Sequence, residues 1–167
     1  MHAHDGRLAN LVGAWAQEAA GALEAAGREV AGAGGGVPAA LTTIAARPGL
    51  TMEDLRAALR LSQPGALRLV ERLEGSEWVR RRPGNRRARG LELTAAGRRA
   101  AQRLLARRRE RLLELLAPLD DDGRERLTEL LELLLAERTH DNDDLQRLCR
   151  LCERTACTRC PVEHALL

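Results

Sequence analysis

Residues 61–94 read LSQPGALRLVERLEGSEWVRRRPGNRRARGLELT. Ser62 is placed to cap a helix whose first turn accepts Pro64, since the ring sets φ and the missing N–H has no partner there anyway. Ala66, Leu69, Val70 and Leu73 then recur on one helical face. Beyond it, Trp78-Val79 and Leu91 to Leu93 flank an arginine-rich segment centred on Pro83, Gly84 and Asn85, the pattern of a two-stranded hairpin. Thr94 is placed to cap a further helix. Upstream, Thr51 to Asp54 has the form of a capping box with a shorter acid than usual, opening a helix that puts Leu55, Ala58 and Leu59 on one face. A break near Leu61 separates the two helices. Two short capped helices joined by a tight turn form a helix-turn-helix, and a basic hairpin behind it makes a winged helix.

Long amphipathic segments lie on both sides. Leu8, Leu11, Val12, Trp15, Ala19, Ala22, Leu23, Ala26 and Val30 draw one apolar stripe along a helix, which the Gly32 to Gly36 run ends. A short helix follows from Pro38 through Leu41 and Ile44 to a stop at Arg47-Pro48-Gly49. After Thr94 a helix runs to Leu116. Pro118 and the acids Asp120 to Asp122 break it, and the next helix has Leu127, Leu130, Leu131 and Leu134 on one side. Leu133 and Leu135 widen that surface beyond what one neighbour covers, which calls for a second copy of the chain. The expected fold is therefore mainly α: a winged helix-turn-helix with a two-stranded β-hairpin wing and long N- and C-terminal dimerisation helices. Its segments are 1–36 (first dimerisation helix and Gly-rich loop), 37–94 (winged helix), 95–139 (further dimerisation helices) and 140–167 (cysteine-bearing tail).

The net charge of +3 over 167 residues hides a strong asymmetry. Every basic residue apart from histidine is arginine, and residues 80–111 hold 13 of the 27 against only Glu92 and Glu110. Arginines crowded without acids repel one another, and phosphates are the natural compensation. No apolar run reaches the roughly 18 residues of a membrane span, and the start MHAHDGRLAN lacks the order of a signal peptide, so a cytoplasmic protein without membrane attachment is expected. There is no Gly-rich phosphate loop, no His-Glu metal motif and no credible nucleophile–base pair, which argues against an enzyme.

The run from Leu61 to Leu73, the segment Trp78 to Gly84, and Asn85 to Thr94 followed by Gly97 together resemble the MarR family of bacterial transcription regulators, in the same element order over approximately residues 7–139. The resemblance implies a homodimer formed by the first and last long helices, reading a pseudo-palindromic operator in double-stranded DNA. It implies that Gln63 and Arg68 face bases or their phosphates, that Arg72 meets the backbone, and that Arg87 at the wing tip enters the minor groove. Ser62, Arg82, Arg86 and Arg89 complete the candidate DNA-binding set, with Arg80 and Arg81 as further phosphate contacts. The sequence departs from the family's pattern at Asn85, where an acid is usual, and at Leu67, where a small hydroxyl residue is common. Regulators of this kind often bind small aromatic acids. Here no Phe or Tyr exists to stack on one, and only Trp15 and Trp78 offer a ring, so a small-molecule effector is left open. Arg103, Arg107, Arg108 and Arg109 are read as a solvated face or as partners of acids across the dimer.

Cys149, Cys152, Cys157 and Cys160 place all four cysteines of the chain within twelve residues. Two CxxC pairs this close can fold around one centre with thiolates at tetrahedral corners. One zinc per chain is the first expectation, an iron–sulfur cluster the alternative and a metal-free dithiol switch the third. Arg147, Arg150, Arg154 and Arg159 are expected to lower the thiol pKa values. Two functions follow: a DNA-binding regulator, a repressor, with metal or redox input through the tail; or a winged-helix protein-interaction module with a purely structural zinc knuckle.

Overall fold

The computed structural model describes residues 3–32, 36–82, 90–153, 156–157 and 159–167. Its elements run α1 (Ala3–Ala31), α2 (Gly36–Ala46), α3 (Met52–Ala58), α4 (Gln63–Gly75), β1 (Val79–Arg81), β2 (Leu91–Leu93), α5 (Ala95–Leu115), α6 (Asp121–Ala136), α7 (Asn142–Cys149) and α8 (Pro161–His164). This is the mainly helical winged-helix architecture expected from the sequence. The hairpin turn lies outside the described residues.

The core is built around α2, which buries every residue from Val37 to Ile44. Its alanines and threonines are small enough for neighbours to approach on all sides. Leu55 of α3, Leu69, Val70 and Leu73 of α4, Val79, Leu91 and Leu93 of the hairpin, and Ala100 and Ala101 of α5 close the core around it. The expected caps form. Thr51 accepts from the Asp54 N–H while the Asp54 carboxylate accepts from the Thr51 N–H, completing the capping box. Ser62 caps α4 through the Gly65 N–H, and the Thr94 hydroxyl accepts from the Gly97 N–H while donating to Glu77 O.

Both helices of the helix-turn-helix end alike. Leu61 N–H bonds Arg56 O and Arg60 N–H bonds Ala57 O; seventeen residues later Trp78 N–H bonds Leu73 O and Glu77 N–H bonds Glu74 O. These are paired Schellman closures, with Arg60 (φ 51°) and Glu77 (φ 56°) in the left-handed region that glycine usually fills. The break read near Leu61 is the first of them. The second aims the chain from α4 into β1.

In the hairpin, Val79 stands opposite Leu93, Arg80 opposite Glu92 and Arg81 opposite Leu91. Thr51 bridges to Gly90, so the segment before α3 adds a third edge to the wing. A Cβ at Gly90 would stand 2.6 Å from Gly49 O, and one at Gly97 would stand 2.0 Å from Trp78 O. Glycine at these two places lets the wing close on the helix-turn-helix and α5 press on the hairpin base.

α1 packs along α5, and Glu29 receives Arg107 at 3.0 Å and also pairs with Arg111. The first half of α1 is uncovered, with Leu8, Leu11, Val12 and Trp15 exposed, and α6 buries no residue at all. After α6, the tail folds back: α7 contacts α3, and α8 contacts both α6 and α7. Among the described residues no helix is long and apolar enough to cross a membrane.

Candidate functional site

The outward face of α4 is set by what its inward face buries. With Ala66, Leu69, Val70 and Leu73 turned into the core, Gln63, Leu67, Arg68, Glu71 and Arg72 stand in solvent. Arg68 and Arg72 are one turn apart on that face and make no ion pair with any described residue. Ser62 is exposed beside them, its oxygen holding the Gly65 N–H at 3.2 Å. Ser62, Gln63, Arg68 and Arg72 are thus all exposed, with Gln63 and Arg72 on opposite flanks of the side of α4 turned away from the core.

The base of the wing is electrically different. Arg81 grips Glu74 of α4 with two bonds of 2.9 and 3.1 Å, tying the hairpin to the C-terminal turn of that helix. Arg80 lies 3.4 Å from Glu92, and Arg82 also pairs with Glu92, a result of the register that puts this acid across from Arg80. All three arginines therefore face carboxylates of their own chain. Arg86, Arg87 and Arg89 lie outside the described residues.

Three arginines of α5 are likewise engaged by acids. Arg107 pairs with Glu110 as well as Glu29, Arg111 with Glu114 at 3.3 Å, and Arg109 with Glu153 of the tail at 3.3 Å. The Arg111 guanidinium beside Glu29 holds that carboxyl below its ordinary value. Arg107 and Arg109, read from the sequence as a solvated face or as partners of acids across the dimer, here meet acids of their own chain.

The four cysteines are free thiols around a cavity of about 40 Å³ shared with Glu163. Cys149 is the last residue of α7, Cys152 follows it, and Cys160 is the residue preceding α8. The Cys152 thiol donates to Leu148 O at 3.9 Å. Burial, followed by the neighbouring Cys152 and Cys160 sulfurs, pushes the Cys149 thiol up to about 12. Burial also raises Cys157. This corrects the expectation that nearby arginines lower these values: desolvation and like charge dominate, and Arg147 is already paired with Asp144 at 2.8 Å. Among the described residues no group of three or more His, Cys, Asp or Glu side chains is already set as a metal site.

Sequence reasoning did not find where the tail docks. Thr42, buried in α2, donates to Arg150 O at 2.5 Å, and a cavity of about 60 Å³ separates Thr43, Arg47 and Ala58 from Leu145, Gln146 and Cys149. The cysteine segment therefore leans on the winged helix itself. Larger cavities of about 320 Å³ between α2, the wing and α5, and about 370 Å³ between α1, α2 and the tail, have neither tryptophan in their linings.

Residues 37–90 match the MarR family. No curated protein matches the chain. Among solved structures, MepR, a transcription regulator of the Staphylococcus aureus multidrug efflux pump MepA, is 19% identical, with 77% of this chain and 96% of that one covered at a TM-score of 0.69. RV1404 from Mycobacterium tuberculosis is 20% identical, covering 80% of this chain and 93% of its own at a TM-score of 0.66. The Mycobacterium tuberculosis MarR family protein Rv2887, solved in complex with DNA, is 24% identical over 77% of this chain and 95% of its own, with a TM-score of 0.61. These likenesses establish the fold.

Proposed function

We propose that this chain, whose residues 37–90 match the MarR family, is a cytoplasmic DNA-binding transcription regulator and not an enzyme. It acts as a homodimer on a pseudo-palindromic site in double-stranded DNA. The observation that carries this reading is the outward face of α4, where Arg68 and Arg72 stand unpaired beside Ser62 and Gln63 while the arginines at the wing base are matched by Glu74 and Glu92. A helix of 13 residues is about 20 Å long and fits the major groove, with its N-terminal turn toward the base edges. There Gln63 and Arg68 can read bases, and Arg72 a phosphate. The wing, with Arg86, Arg87 and Arg89, would reach the flanking backbone and minor groove.

Dimerisation through α1 and α6 covers their exposed leucines and sets the two copies of α4 about one helical turn of DNA apart, roughly 34–36 Å. Repression is the output that follows most simply, since a dimer seated over two half-sites blocks access to them. The tail supplies a metal or redox input.

A duplex selected by the protein from a random pool tests the reading. Arg68→Ala should weaken binding about ten-fold and relax base preference locally. Arg72→Ala should weaken all sequences alike and reduce the salt slope by about 1. Unchanged affinity and slope in both variants, with the dimer intact, would refute the assignment.

A further inference from the structure

The tail has two anchors on different parts of the molecule. Its first half, α7 and the turn after it, is held on the DNA-binding lobe by the Thr42 bond to Arg150 O and by the apposition of Leu145, Gln146 and Cys149 to Thr43, Arg47 and Ala58. Its second half, α8, packs on α6, whose apolar face is the proposed dimer surface. Glu153, between the halves, reaches Arg109 of α5. The cysteines divide in the same way. Cys149 and Cys152 belong to the half that rests on the lobe, Cys157 and Cys160 to the half that leads into α8.

We propose that Cys149, Cys152, Cys157 and Cys160 bind a single zinc ion, and that this ion is a rivet holding the DNA-binding lobe to the dimer helices. The inference rests on the regulator reading above for its effect on DNA. The arrangement of the thiols favours one ion over a cluster. Zinc–sulfur bonds of about 2.3 Å put the corners of a tetrahedron about 3.8 Å apart, close to the separation at which thiols touch one another. Here all four cysteines line a single cavity of about 40 Å³. An iron–sulfur cubane carries each thiolate on its own iron and needs the sulfurs spread further. No metal-holding group is preformed among the described residues, so binding requires the sulfurs to close in. Each of the four thiols gives up its proton to solvent as the zinc–sulfur bond forms, leaving a centre of net charge −2.

With the ion in place, α7 cannot leave α8, so α2 and α3 keep a fixed position over α6, and α4 keeps its spacing from its counterpart. Without it the two halves of the tail are held only by the packing of α7 on α8, which can open and let the lobe rock on the α1–α5 stalk. Zinc thus selects one spacing of the recognition helices.

The test uses the full-length protein, stripped under reducing conditions and reloaded with zinc chloride alone. Expected are one zinc per chain by elemental analysis, loss of that zinc in Cys157→Ser, slower hydrogen exchange over 52–58 and 142–149 when zinc is bound, and at least a ten-fold difference in affinity for the selected duplex between the two forms. Thr42→Val should keep the zinc yet lose most of its effect on exchange in α3 and on DNA affinity, because the ligands remain while the lobe anchor is gone. Absence of zinc binding, a brown iron-containing protein from anaerobic purification, or bound zinc with unchanged exchange in α3 overturns the proposal. If neither form binds any duplex, the regulator reading fails, and the rivet is then judged on zinc stoichiometry and exchange alone.

Discussion

The double substitution Leu130→Glu and Leu134→Glu should convert a dimer into a folded monomer. The two residues are one turn apart on α6, 58% and 60% exposed in the single chain, with Leu133 at 61% and Leu131 at 46% beside them. Fully burying a leucine is worth about 1.5–3 kcal/mol, so covering each of these half-exposed side chains contributes roughly 1–1.5 kcal/mol. Four of them on each of two protomers give roughly 8–12 kcal/mol, to which Leu8, Leu11, Val12 and Trp15 of α1 add, against an association cost of about 4–15 kcal/mol. Replacing two leucines per protomer removes roughly 4–6 kcal/mol from the dimer and places four carboxylates in the interface, which weakens association by about 1,000-fold or more. Sedimentation equilibrium reads this directly: the wild type at roughly twice 18.3 kDa, the variant at 18.3 kDa. Because α6 buries no residue in the protomer, helix content should survive. A wild type that sediments as a monomer at about 10 μM, or a variant that remains dimeric, refutes the reasoning.

Gly97→Ala should cost about 3 kcal/mol in urea unfolding, since its Cβ would stand 2.0 Å from Trp78 O and 2.8 Å from Trp78 C, backbone atoms that cannot swing aside; a loss below about 1 kcal/mol would mean that α5 shifts freely on the hairpin. The Thr51 hydroxyl, then its N–H, hold the Asp54 carboxyl below its ordinary value of 3.8, so the folded chain binds fewer protons there than the unfolded one. The cap's contribution, about 1 kcal/mol, is present above that ordinary value and lost as pH falls through the lower folded one. The stability difference between wild type and Asp54→Asn should therefore shrink on acidification, and one that is constant from about pH 5 to pH 2 would show that the carboxylate is not what closes the box.

Much of the fold was legible because its signals are local. Thr51, Ser62 and Thr94 each bond an N–H three residues ahead, and a hydroxyl before an apolar-periodic run is enough to find them. The leucines of α6 were legible for the opposite reason: an apolar surface too wide for one neighbour announces itself in the chain. What escaped depends on register and on distance. Glu92 looks like a lone acid in an arginine field until the hairpin pairing sets it across from Arg80 and near Arg82. Thr42 meets Arg150 across 108 residues, and nothing near either residue marks the contact. The thiol shifts were misjudged because the desolvation of Cys149 and Cys157 and their neighbouring sulfurs outweigh arginines that are near only in sequence.

The ion pairs also change what the arginine-rich stretch can mean for recognition. Residues 80–111 hold 13 arginines, yet Arg80, Arg81, Arg82, Arg107, Arg109 and Arg111 each have an acid of this chain as partner. A guanidinium already bonded to a carboxylate gains less from a phosphate than a free one, because it must first give up that partner or share it. The Arg81–Glu74 pair, with both side chains about one-third exposed, is better placed as a brace that holds the wing at a set angle to α4 than as a contact to DNA. Glu92 does the same for the two sides of the hairpin. On the recognition face, by contrast, no acid among the described residues answers Arg68 and Arg72. Specificity follows from that placement: a diffuse positive field binds any phosphate backbone, whereas guanidinium groups fixed on a braced helix must be met in one register.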